Sequence, residues 1–291
     1  MQKKMFQVDG KAYDPGTLVI ARGENSEIEF HSLICEASVG LEIKTVPCKT
    51  GYVEKGNDFG SSSYREIKAP KIGLLAGDGF SPLNTGELWH YLEQELNVGY
   101  TMIRSSDISK LQNTADIDLL MVPEGYLSDE MVSDLGKWVK KGGRLVVFGE
   151  GADNFTELFK IEVVENDQDD QDDLTQRQEL SSMITGAIFP CNIEKGSQIA
   201  FGYEDYFTLR QSPVHYRIAS GNTIFSLPNN VEQVSGFVGS EVIKNQGEAL
   251  VVGQETYGKG NITYFIDNPL FRGFWHHGLL MVANSIYLSE K

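Results

Sequence analysis

Cysteine is scarce in this chain. Its 291 residues hold three, Cys35, Cys48 and Cys191, with neither a C-x-x-C pair nor the density of a disulfide framework. Cys35 falls in a helical pattern and Cys48 follows a proline, so both read as small apolar fillers or surface thiols. They leave the compartment open. Long apolar runs are missing too: none approaches the roughly 18 residues that span a bilayer, so no membrane partner is expected. The opening MQKKMFQVDG has lysines but no apolar stretch behind them, and it is not expected to be a signal peptide. Positive charge is the third shortage. Lys and Arg number 25 against 41 Asp and Glu, a net charge of -16. Nucleic-acid binders present a basic face, so no nucleic-acid partner is expected either.

What is present is ordinary for a globular protein: 41% hydrophobic residues and a mean hydropathy of -0.25. Part of the acidic excess sits in one run, residues 165–173 (ENDQDDQDD), which reads as a solvated or disordered loop. As a calcium loop it lacks the central glycine and the closing glutamate.

Residues 1–68 read as a small α/β unit. FQV, KAY and TLVI are short strand candidates separated by Asp9-Gly10 and Asp14-Pro15-Gly16 turn chemistry. Ile28, Leu33, Ile34 and Ala37 recur at helical spacing, and LEIKTV resumes a strand. From residue 69 strands and helices alternate, which implies a parallel sheet. KIGLLAG, YTMIRSSDI, DIDLLMVP and RLVVFG are the strands. Residues 85–96 form one amphipathic helix, and a second begins after Ser128 and closes on lysines and Gly142-Gly143. A mostly β insertion follows at about 152–245. ALVVGQETYGKGNITYFID then reads as a hairpin turning at Gly258-Lys259-Gly260, and a helix over 274–288 ends the chain. The expected fold class is α/β: a flavodoxin-like, doubly wound parallel sheet with helices on both faces, plus the small N-terminal unit.

The stretch LLMVPEGYLSDEMVSDLGKWVKKGGRLVVFGEG resembles the class I glutamine amidotransferases in its order of strand, Pro-x-Gly, helix, Gly-Gly, strand and turn. In those enzymes the turn is a strained elbow carrying a nucleophilic cysteine, with backbone N–H groups placed for an oxyanion. The cysteine position falls here on Gly149, followed by Glu150 and Gly151, and no H-P-E step near the C-terminus supplies a His and Glu. The resemblance therefore implies an emptied elbow and no glutaminase reaction. GELWHYLEQELN, FGYED, VSGFV and above all GKGNITYFIDNPLFRGFWHHGLLMVANSIYL are similar to the amidotransferase-like C-terminal domain of large bacterial zinc carboxypeptidases of the carboxypeptidase A type. GKAYDPGTLVI, GYVEKGNDFGS and REIKAPKIGLLAG resemble the stretch before it. That likeness implies a non-catalytic accessory region whose partner is an N-terminal peptidase domain. Zinc belongs to that domain, with no cofactor in this chain, and a periplasmic or secreted parent is implied.

Two histidine motifs are decoys. His90-Tyr91-Leu92-Glu93 is formally H-x-x-E, yet it lies inside an amphipathic helix with no third ligand to name. His276 and His277 are adjacent and point to different faces. No metal site is expected. Positional reasoning carries further, because ligands of open α/β sheets bind beyond the carboxyl ends of the strands. The residues there are Asp78 and Gly79, Glu124 and Gly125, Glu150, and Asp267 with Asn268. The acids can hold a cation or a ligand's amine; equally they can cap helices and pair with Arg272 or Lys259. Arg272, between aromatic residues, is expected to be a buried or half-buried anchor for one of them. Three functions follow: the accessory region, a module binding peptide or sugar at this acidic strand edge with the nearby aromatics Trp89, Tyr126 and Trp275, and a hydrolase using Glu150.

Overall fold

The protein was analysed as a computed structural model that describes residues 4–25, 29–41, 45–62, 64, 66–113, 116–164 and 180–289. The acidic run 165–173 lies outside them, as does the middle of LEIKTV. The chain divides into two compact units, Met1–Lys68 and Ala69–Lys291.

In the first unit β1 (Phe6–Val8) and β2 (Lys11–Tyr13) form an antiparallel hairpin. Its two turn residues, Asp9 and Gly10, both have positive φ, 49° and 73°, as a type I′ turn requires. Phe6 and Val8 pack with Val53 into a small core. TLVI, expected as a strand, is irregular. Leu18 and Ile20 are exposed and, among the described residues, no strand pairs with them, so β-propensity alone does not order them. Helix α1 (Phe30–Ser38) follows with no buried side chain.

The second unit runs β3 (Ile72–Ala76), α2 (Pro82–His90) with a π turn at Tyr91–Glu95, β4 (Tyr100–Arg104), β5 (Leu119–Val122), α3 (Asp129–Lys140) and β6 (Arg144–Phe148). The segment after β6 holds β7 (Ile161–Val163), β8 (Ile184–Pro190), β9 (Asn192–Ile193), β10 (Phe207–Arg210), β11 (Tyr216–Ile218), β12 (Asn222–Ser226), β13 (Ser235–Val238) and α4 (Ser240–Asn245). The hairpin β14 (Leu250–Tyr257) and β15 (Gly260–Phe265) and the helix α5 (Leu279–Tyr287) complete it.

The main sheet has the order β4-β3-β5-β6-β15-β14-β12-β9. Its first five strands are mutually parallel. Counted along the chain they stand 2-1-3-4-5, the flavodoxin-like order. β3, β5, β6 and β15 are buried on both faces, whereas the edge strand β4 leaves Thr101, Met102 and Arg104 exposed, so alternate residues of the inner strands enter different cores. Leu74, Met121, Val146 and Phe148 pack with Leu88 and Leu92 of α2 and with Met281 and Ile286 of α5. Leu75, Leu120, Leu145 and Val147 pack with Leu135, Trp138 and Val139 of α3. Helices thus cover both faces. The remaining strands make a three-stranded sheet, β10-β8-β13, and a two-stranded one, β11-β7.

Local chemistry moves several boundaries. Ser81 accepts from Asn84 N at 3.3 Å with Pro82 behind it, so α2 begins three residues before the periodicity suggests. Beyond Arg104 the expected strand becomes a 3-10 segment, Ser105–Asn113, that buries Ile108 and Leu111. At the chain's end a 3-10 turn with Arg272 at φ 50° and a second one at His276–Gly278 take the place of the first helical turn.

Candidate functional site

The carboxyl ends of β3, β5, β6 and β15 carry the loops where a ligand of this fold class binds. The β3 and β5 loops are zipped together: Ser81 N donates to Glu124 O at 2.7 Å and Tyr126 N to Gly79 O at 3.0 Å. Gly125 is required there, since a Cβ would lie 2.5 Å from Gly79 O and 2.8 Å from Phe80 Cα. Buried Asn84 holds the same junction, accepting from Glu124 N at 3.0 Å. Glu87, on the next turn of α2, reaches the β15 loop. It accepts from Asn268 Nδ2 at 2.6 Å and from Arg272 N at 2.7 Å. Asn154 staples the β6 turn to the β5 loop, donating to Gly125 O and Gly151 O at 2.8 and 2.9 Å and accepting from Leu127 N at 2.8 Å.

The turn after β6 opens on a left-handed residue, at the position where the sequence resemblance expects an elbow. Gly149 is buried with φ 57°. A Cβ built on it overlaps Glu124 Oε1 and lies 2.6 Å from Glu124 Cδ and Cγ. The room a side chain at position 149 would need is therefore filled by the Glu124 side chain. Burial raises the Glu124 carboxyl above its ordinary value, and the charges of Glu150 and Glu87 add to the rise. The folded protein favours the protonated acid. Stability from that preference is present below the ordinary 4.5 and is lost as pH rises through the folded value. Glu124→Gln is accordingly expected to flatten the fall in Tm as pH rises above the ordinary 4.5. An unchanged slope in differential scanning fluorimetry would refute this.

The acids predicted from strand ends do not all converge. Glu124 and Glu150 act on each other, together with Glu87, which the sequence reading missed. Asp78 and Gly79 are exposed in the β3 loop. Asp267 is buried and engaged elsewhere. Thr208 Oγ1 donates to it at 2.8 Å, and fully buried Arg210 places Nη1 3.3 and 3.4 Å from its two oxygens. Burial is the largest influence on Asp267 and raises its carboxyl, with Arg210 and Thr208 pulling it back. Arg272 corrects its expected role: it is exposed, its guanidinium lies 5.0 Å from the Phe271 ring centroid, and its backbone rather than its side chain meets Glu87. A carboxylate at the end of a central strand needed a cation already inside the core, and Arg210 on β10 supplies it. That pairing had no local sequence signal. Asn84 and Glu87 did leave one, polar residues three apart in the first turns of a helix.

Among the described residues no three of His, Cys, Asp and Glu are placed to hold a metal ion. His90 and Glu93 are both exposed on α2 and its π turn, and no third ligand joins them among the described residues. His277 instead lies 3.8 Å from Asp205 and packs among Tyr203, Tyr206 and Phe207. Two shallow cavities are aromatic. One of about 330 Å³ is lined by Phe80, Trp89 and Met102 near the carboxyl end of β3. Another of about 410 Å³ is lined by Phe207, Phe274, Trp275 and both terminal histidines. Tyr126 is exposed and lines neither.

No protein-family model matches the chain, and no curated protein sequence matches it. Solved structures are similar to it. A catalytic mutant of a GH42 beta-galactosidase from G. stearothermophilus aligns with 68% of this chain at 13% identity and a TM-score of 0.39. This chain spans 27% of the length of that enzyme. An exo-beta-1,4-mannosidase from an Opitutaceae bacterium aligns with 77% of the chain and 37% of its own length, at 13% identity and TM-score 0.46. A ThuA-like protein from Bacteroides uniformis aligns with 76% of the chain and 91% of its own length, at 10% identity and TM-score 0.49. The parallel order β4-β3-β5-β6-β15, rather than these likenesses, makes the fold flavodoxin-like.

Proposed function

We propose that this chain is a non-catalytic accessory module of the amidotransferase-like type, serving a zinc carboxypeptidase by interdomain packing or substrate docking. The observation that carries the non-catalytic part is the elbow: Gly149 offers no nucleophile and Glu124 fills its space. A left-handed turn kept without its reactive side chain supports a scaffold retained for shape. The peptidase partnership rests on the sequence similarity of the segment from Gly258 to the final helix. Zinc and turnover would then belong to the peptidase domain.

The purified chain is expected to release no ammonia from glutamine and to hydrolyse no peptide, with or without added Zn²⁺. Robust metal-independent hydrolysis by the pure chain would overturn the reading; so would activity abolished by Glu150→Gln. A second reading, a module that binds peptide or sugar, is favoured by the aromatic cavities at Trp89 and Trp275. It predicts a ligand-dependent rise in Tm with short peptides or oligosaccharides that Trp89→Ala or Trp275→Ala removes. Unchanged melting across both ligand classes excludes it.

A further inference from the structure

A buried histidine lies between two ties to the carboxyl end of the main sheet. His215 is 4% exposed, and its Nδ1 stands 2.7 Å from the carbonyl oxygen of Asn245 at the end of α4. A carbonyl only accepts, so Nδ1 carries the proton and Nε2 is left as a bare acceptor. That Nε2 is buried without a hydrogen-bond partner, as are Gln246 Oε1 and Arg210 Nε. The surrounding backbone is held from several sides. Gln246 Nε2 donates to Pro213 O at 2.6 Å, Arg210 Nη2 donates to Val214 O, and Val164 N donates to His215 O at 2.8 Å. Both flanks reach the candidate site. Arg210 binds Asp267 beyond β15, and Tyr216 OH donates to Asp153 Oδ1 at 2.6 Å in the turn after β6.

We infer that residues 213–216 form a proton-sensitive latch. Uptake of one proton at His215 Nε2 frees this segment from α4 and slackens the Arg210–Asp267 and Tyr216–Asp153 ties. An imidazolium there gains a second N–H that meets no acceptor, in an interior where an unsatisfied donor is costly. It also gains charge among cations. Arg210 comes from β10 and Arg217 from β11; on β7 the exposed Glu162 stands opposite Arg217. On α4, Lys244 and Glu241 bind each other at 2.7 Å. Asp267 is already taken by Arg210 and Thr208, and Asp153 by Tyr216. Burial is the largest influence on His215 and, with Arg210 and Arg217, holds it below the ordinary 6.5 against the pull of the Asn245 carbonyl. A lowered histidine stabilises the fold above 6.5, and that stability is lost as pH falls through the folded value.

The test is amide hydrogen exchange of residues 211–217 in the full chain, corrected for intrinsic rates, between about pH 7 and pH 5, with an NMR titration of His215 alongside. Opening in the wild type is expected to rise by up to about tenfold per pH unit. It should stay flat in His215→Asn, whose Nδ2 keeps the donor to Asn245 O but takes no proton. The same pH dependence in both proteins overturns the latch. If the variant does not fold, the wild-type titration decides. Titration at or above 6.5, or protonation without faster exchange at 211–217, overturns it as well.

Discussion

Replacing Arg210 with methionine is expected to destabilise the protein by about 3–5 kcal/mol, the usual cost of removing one partner of a buried ion pair. Arg210 is fully buried and Asp267 nearly so. Without the guanidinium, Thr208 is the side chain still shown bonding that carboxylate. The loss would be read from urea unfolding at neutral pH. Its pH dependence identifies the cause. Asp267 is already raised above its ordinary 3.8 by burial, and losing Arg210 raises it further. The variant's penalty is therefore full above that raised value and shrinks as pH falls towards 3.8. The double variant Arg210→Met/Asp267→Leu should recover most of the stability, because two apolar side chains need no mutual charge. A single variant that loses less than about 1 kcal/mol would show that the pair does not tie β10 to β15.

Placing a thiol at Gly149 is expected to cost stability without giving activity. Gly149→Cys places a side chain on a left-handed residue, worth about 1–2 kcal/mol. It also drives Cβ into the Glu124 carboxyl, and forced overpacking adds about 1–3 kcal/mol. Glu124→Gly in the same chain should return the second part and leave the first, a separation that a double-mutant cycle in urea measures. No glutamine turnover should appear in either protein, since the sequence has no H-P-E step to activate the thiol. If Gly149→Cys alone is as stable as the wild type, Glu124 does not occupy the elbow's space.

The strands and helices of the second unit were legible where one local force dominates. LLMV of β5 and LVVF of β6 are apolar because these strands feed a core on each face. Ser128 announced α3, and its Oγ accepts from Met131 N at 3.4 Å. What stayed hidden depends on partners far away in sequence. TLVI has strand composition and finds no ladder, whereas Asp267 looked available until Arg210, 57 residues earlier, was seen beside it. Gly149 illustrates both limits. The missing nucleophile was plain in the letters, but only the backbone's approach to the β5 loop shows Glu124 in its place. Arg272 misled because aromatic neighbours suggest burial, while the residue is exposed and its guanidinium lies over the Phe271 ring.

The position of β15 has a consequence for how this chain is made. It sits between β6 and β14 at the centre of the sheet, yet it is synthesised on the order of 100 residues after β6. At ribosomal speeds of about 5–20 residues per second, that is a delay on the order of 10 s. During it β6, apolar from Leu145 to Phe148, lacks its β15 partner along one edge, the kind of surface that recruits the wrong strand. Yield of the soluble protein should then depend on how fast the 149–259 segment is translated, and slow codons there would favour aggregation over the native sheet.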